Sequence, residues 1–112
     1  DDLFDYEPFM TNFFENPGLV QFNHRITAYL LFFAVCLVWW INRRSPYYKI
    51  RKASNYLMII VLAQMVLGII TVLYSAPLLL ASLHQFTAIL FILAFINLFF
   101  RTFYPVSQKI NP

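Results

Sequence analysis

Uncharged, mostly apolar runs extend from Ile26 to Asn42, from Ala53 to Pro77 and from Leu78 to Phe100, the last interrupted only by His84. At about 1.5 Å of rise per helical residue against a hydrocarbon core of about 30 Å, each run can cross a bilayer, the first by including residues ahead of Ile26. The pattern predicts an all-α fold, a transmembrane bundle of three helices in one membrane domain. Asn16-Pro17 supplies a capping side chain followed by proline at the first helical position, so the first helix is expected over residues 17–43. Trp39 and Trp40 anchor its inner end, and Ser45-Pro46 turns an inner loop over residues 44–52, with Tyr47 and Tyr48 at the interface. The second helix is expected over 53–75 and the third over 77–104, ending before Pro105. Residues 1–16, acidic and rich in aromatics, form an outer-side interfacial segment, and 105–112 an inner tail.

Composition agrees with a membrane protein: 61% of the 112 residues are hydrophobic, 20% aromatic and only 12% charged, far from the balance of a soluble domain. Charge sets the expected orientation. All five acids (Asp1, Asp2, Asp5, Glu7, Glu15) precede His24, and all eight bases follow it. Arg43, Arg44, Lys49, Arg51 and Lys52 crowd the first connection, while Arg101 and Lys109 follow the third run, so both regions belong on the cytoplasmic or matrix side and the N-terminus outside. Topology thus accounts for the net charge of +3; no basic groove with interleaved aromatics remains for nucleic acid. Cys36 lies mid-span and has no intrachain disulfide partner. No nucleophile, base and orienting acid come together in the sequence, which excludes a hydrolytic constellation. Without an initiating Met or a signal-peptide pattern, the chain is expected to be processed or to be a piece of something longer.

The only two histidines stand in a repeated pattern, a proline, six residues, a histidine, two residues, then Thr-Ala: Pro17, His24, Thr27, Ala28 and again Pro77, His84, Thr87, Ala88. An imidazole in an apolar segment must be hydrogen-bonded, paired or bound. His24 lies 19 residues from Arg43 and His84 lies 17 from Arg101, roughly 28 and 26 Å up two helices expected to run in the same direction. Gly68, 16 residues from Lys52, stands about 24 Å up the second helix, where a glycine lets a bulky flat object or another helix approach. Two imidazoles at one depth toward the outer face suit the two axial positions of a six-coordinate haem. Thr27 and Ala28, like Thr87 and Ala88, share their histidine's face; alanine leaves room for a porphyrin, and threonine can bond back to its own helix. Arg25 is either a partner for a haem propionate or an ordinary interfacial anchor. The alternatives are histidines that only join helices and a zinc or copper site, which lacks a third ligand within reach. Met58 and Met65 read as packing, and Gln64, Gln85 and Asn97 as interhelical hydrogen-bonders. Any catalysis here would be redox chemistry carried by the cofactor.

Glu15-Asn16-Pro17, then Val20-Gln21-Phe22-Asn23-His24-Arg25, then Gln64 with Leu67-Gly68-Ile69 and Thr71, then Pro77, Leu80-Ala81 and His84-Gln85 resemble the C-terminal half of the haem A synthase family, over about residues 15–88. The resemblance implies an eight-helix protein of two similar four-helix bundles, each with a histidine pair near the outer side. It implies oxidation of a ring methyl of haem O to a formyl, giving haem A for cytochrome c oxidase. Carried over residue by residue, it makes His24 and His84 the axial ligands (bis-His) of a b-type haem in the C-terminal bundle, with haem O and haem A as substrate and product in the half not present here. On that reading the three spans are the last three of the protein, no catalytic residue lies in this chain, and catalysis requires the remaining helices or a partner chain. The electron donor stays open, as does association into an oligomer or a respiratory complex. The expected location is the mitochondrial inner membrane or the bacterial plasma membrane. Two other readings remain: a non-enzymatic cytochrome b-type subunit anchoring a respiratory complex, and a structural membrane subunit.

Overall fold

A computed structural model describes residues 4, 5, 7 and 17–104, with Pro17 described by its backbone alone. Most of the expected interfacial segment, the Asn16 cap and the tail over 105–112 lie outside the described residues. Three helices of 26 residues each account for the fold: α1 (Pro17–Asn42), α2 (Tyr48–Leu73) and α3 (Leu78–Phe103). Each is long and apolar enough to cross a membrane. At about 39 Å apiece they exceed a hydrocarbon core of about 30 Å, so their ends reach the headgroups or the helices tilt. No strand occurs among the described residues.

α2 starts at Tyr48, ahead of the Ala53 at which its apolar run begins, so Lys49, Arg51 and Lys52 are helical rather than part of a loop. Hydropathy marks where the chain leaves hydrocarbon, whereas the helix continues until proline stops it: Pro46 is followed by Tyr47, the extended N-cap (φ −87°, ψ 112°). The connection is correspondingly short and internally bonded. The Tyr47 backbone N–H donates to Ser45 Oγ (3.2 Å), and Arg51 Nη1 donates to the Ser45 carbonyl (2.6 Å).

The chain divides after Phe33 into two compact units, each described by itself. In the second, α2 and α3 form the main helix pair. Along α2, Ile50, Ser54, Leu57, Val61, Gln64, Gly68 and Thr71 follow one another in alternating steps of four and three, and all are buried or half-buried. Leu80, His84, Thr87, Phe91, Ala94, Leu98 and Arg101 do the same along α3. A mean spacing of 3.5 residues is the seam of a left-handed helix pair. Small residues let the backbones close in: Ser54 is 1% exposed, beside Leu57 at 1%. The outward faces are apolar, as lipid or further helices require. At the basic end, Trp39 Nε1 at the end of α1 donates to Asn55 Oδ1 on α2 (2.8 Å).

The turn between α2 and α3 is tight. The Ser75 N–H donates to the Val72 carbonyl (3.1 Å) and the Ala76 N–H to the Thr71 carbonyl (2.7 Å), the paired bonds of a Schellman cap. Ser75 (φ 61°) and Ala76 (φ 55°) are both left-handed, a conformation in which a side chain costs about 1–2 kcal/mol per residue. Pro77, extended at φ −62° and ψ 150°, then opens α3.

Candidate functional site

In the second unit the site is built on the α2–α3 seam. His84 falls at a seam position of α3, and its ring lies against Gly68 of α2: a β-carbon placed on Gly68 would stand 3.0 Å from His84 Cε1 and 3.5 Å from both ring nitrogens. Nδ1 of His84 is buried. The bulky flat object expected at Gly68 is therefore, in the first instance, the imidazole itself. A β-carbon there would need the ring to give by a few tenths of an ångström, and a larger side chain would take the space the ring fills.

The rest of this face is quiet chemically. Thr87, 9% exposed, sits one turn after His84 and its Oγ1 donates to the Leu83 carbonyl (2.8 Å). Thr71 Oγ1 likewise donates to the Leu67 carbonyl (2.6 Å). Both hydroxyls are thus satisfied within their own helices. Ala88 is half-buried. Gln64, one turn from Gly68, has a buried Oε1 with no hydrogen-bond partner among the described residues, which differs from the interhelical bond expected of it. Gln85 and Asn97 are exposed.

In the first unit, α1 carries His24, Arg25 and Thr27, all exposed, and Ala28, half-buried. Glu15 lies outside the described residues. Among the described residues no group of three His, Cys, Asp or Glu converges; imidazole is a ligand type that haem iron accepts. The seam fits such a group in one respect: the glycine against the ring adds no bulk, and Thr87, one turn along α3, has its hydroxyl bonded within its own helix. Sequence reasoning missed how His84 and Gly68 meet. The signal was present in their matched heights, about 24 Å and 26 Å above the basic anchors.

A family model described as cytochrome oxidase assembly protein (COX15-CtaA) matches residues 1–96. The chain is 44% identical over 110 residues to a protein named heme A synthase from Dinoroseobacter shibae, covering 98% of this chain and 29% of that one. It is 39% identical over 110 residues to a protein of the same name from a Jannaschia species, again 98% of this chain and 29% of the relative. With the heme A synthase of Paracoccus denitrificans it shares 46% identity over 78 residues, 70% of this chain and 20% of the relative. The chain thus spans less than a third of the length of these relatives. No solved structure matches it.

Proposed function

Since the chain belongs to the COX15-CtaA cytochrome oxidase assembly family, we propose that it is the haem-carrying C-terminal part of a haem A synthase, in which His24 and His84 are the axial ligands of one b-type haem. The observation that carries the reading is the seating of the His84 imidazole on Gly68 at the α2–α3 seam. A ligand must be held in a fixed orientation to bind iron, and a ring lodged against a neighbouring backbone is so held.

The haem would supply electron transfer; the protein's residues do the rest. Gly68 orients the His84 ring, and Thr87 and Ala88 keep the approach to it low and apolar. On α1, His24 offers the second imidazole, flanked by Thr27 and Ala28. Arg25, next to His24, would pair with a propionate of the bound haem. Oxidation of the haem O methyl to the formyl of haem A belongs to the complete protein, with this part passing electrons to or from that centre or stabilising it. The organisms of the named relatives are bacteria, which favours the bacterial plasma membrane, with the Arg43–Lys52 region on the cytoplasmic side by the positive-inside rule.

Visible spectroscopy of the full-length protein tests the reading. The wild type should show a low-spin b-type spectrum in addition to any haem held elsewhere, and His24→Ala and His84→Ala should each remove that component. Normal haem content and an unchanged spectrum in either variant would overturn the pairing. Failure of the complete protein to convert haem O to haem A in a reconstituted assay would overturn the activity.

A further inference from the structure

Gln64 stands on α2 one turn before Gly68, at a seam position of its own. Its Oε1 is buried and has no hydrogen-bond partner among the described residues. An acceptor left without a donor in an apolar interior is costly, so the seam around it has to hold, or receive, a donor.

Few groups qualify. With Gly68 against His84, the seam residues that flank Gln64 are Val61, Gly68 and Thr71 on α2 and His84, Thr87 and Phe91 on α3. Only the threonines and His84 carry side-chain polar hydrogens, and both threonine hydroxyls donate to carbonyls of their own helices, Thr71 to Leu67 and Thr87 to Leu83. The imidazole is also in the right place. A helical side chain leans over the turn that precedes it, so a side chain at position 68 would cover the turn that carries Gln64. The His84 ring takes that space: its Cε1 stands 3.0 Å and its Nδ1 3.5 Å from where a β-carbon of Gly68 would be. Residues four apart on a helix have β-carbons about 5–6 Å from one another, a gap that a glutamine arm bridges.

We propose that Gln64 is a positioning residue, its Oε1 accepting the Nδ1–H of His84 when Nε2 binds haem iron, a role that rests on the haem reading and deepens it. Nδ1 is the buried ring nitrogen, so Nε2 is left for the metal and the proton stays on Nδ1. A ligating histidine almost always donates that second N–H, which fixes its tautomer and ring orientation and makes it a more basic ligand. Gly68 and Gln64 then divide the task on neighbouring turns, the glycine giving the ring its place and the glutamine its rotation and basicity.

Redox titration and electron paramagnetic resonance of the b-type component in the full-length protein provide the test. Gln64→Met keeps length and volume but removes the acceptor, and with a less basic imidazole the ferric state is held less well. The midpoint should rise by about 59 mV, a ten-fold change in a one-electron equilibrium, and the low-spin g values should shift. Gln64→Glu keeps a carbonyl oxygen whether ionised or not, so its midpoint should stand at or below that of the wild type; it carries the test should the methionine variant lose the haem. Gln85→Met, which removes an exposed amide next to His84 in sequence, should leave midpoint and g values unchanged. A wild-type midpoint in Gln64→Met, a raised one in Gln64→Glu, or an equal rise in Gln85→Met overturns the proposal and gives the Nδ1–H to another acceptor, such as the Leu80 carbonyl one turn back. Loss of the b-type component in His84→Ala with a wild-type midpoint in Gln64→Met overturns this role alone, whereas survival of that component in His84→Ala overturns the haem reading beneath it.

Discussion

The α-carbon of Gly68 and the imidazole of His84 lie so close that a β-carbon placed on Gly68 would stand 3.0 Å from Cε1. A backbone position on α2 thereby controls the orientation of a side chain on α3. Gly68→Ala should require the ring to give by a few tenths of an ångström and Gly68→Leu should expel it, overpacking that costs about 1–3 kcal/mol for the larger residue. The expected result is a graded change, a perturbed low-spin spectrum in Gly68→Ala and loss of that haem in Gly68→Leu, read by visible and electron paramagnetic resonance spectroscopy. A wild-type spectrum in Gly68→Leu would refute the seating.

Thr87 makes the opposite prediction. Its hydroxyl donates to the carbonyl of its own preceding turn, which the helix ladder already uses, so Thr87→Val should alter stability by less than about 1 kcal/mol. Thr87→Phe, which puts a large ring at a buried seam position, should destabilise by about 1–3 kcal/mol or more. Thermal unfolding in detergent separates the two, and a large loss in the valine variant would mean that the hydroxyl does more than bond back.

At the turn, Ser75 and Ala76 carry side chains where the backbone is left-handed. Ser75→Gly should stabilise the helix pair by about 1 kcal/mol, the relief of the left-handed penalty being partly offset by the greater entropy of glycine in the unfolded chain. Ser75→Val should destabilise by at least as much. Reversible denaturation of the two variants against wild type measures the difference, and no gain in the glycine variant would contradict the observed backbone.

Asn55→Leu removes the acceptor of the Trp39 indole N–H. The expected cost is about 0.5–1.5 kcal/mol, accompanied by a shift in tryptophan emission. The same shift should be absent in Tyr56→Phe, next in sequence but outside this bond. Unaltered emission in Asn55→Leu would count against the contact.

The three spans were legible because length and apolarity alone decide whether a helix can cross a bilayer, and the spans at Gly18–Asn42, Tyr48–Leu73 and Leu78–Phe103 follow the apolar runs. The start of α2 was not, because Lys49, Arg51 and Lys52 read as loop in a hydropathy pattern although nothing in them breaks a helix. Nor could amphipathicity reveal the seam, since lipid outside and packing inside both favour apolar residues. What distinguishes the inner face is small or polar residues at its seam positions, Ser54, Gln64, Gly68 and Thr71 on α2 and His84 and Thr87 on α3, and that spacing acquires meaning once the helix pair is seen. The matched heights of Gly68 and His84 were derivable by counting from the basic anchors. That the ring rests on the glycine itself depends on helix rotation, which counting does not give.

The capped turn over Tyr74–Pro77 has a consequence for biogenesis. Its tip carries no charge, and its backbone N–H groups at Tyr74, Ser75 and Ala76 are bonded back into α2, so little polar surface must be stripped of water when it crosses the bilayer. In the proposed orientation the tip is the part that must travel to the far side. α2 and α3 are thereby suited to enter the membrane together as a single hairpin, already closed at its leading end, with the cations of the trailing end holding it from passing through.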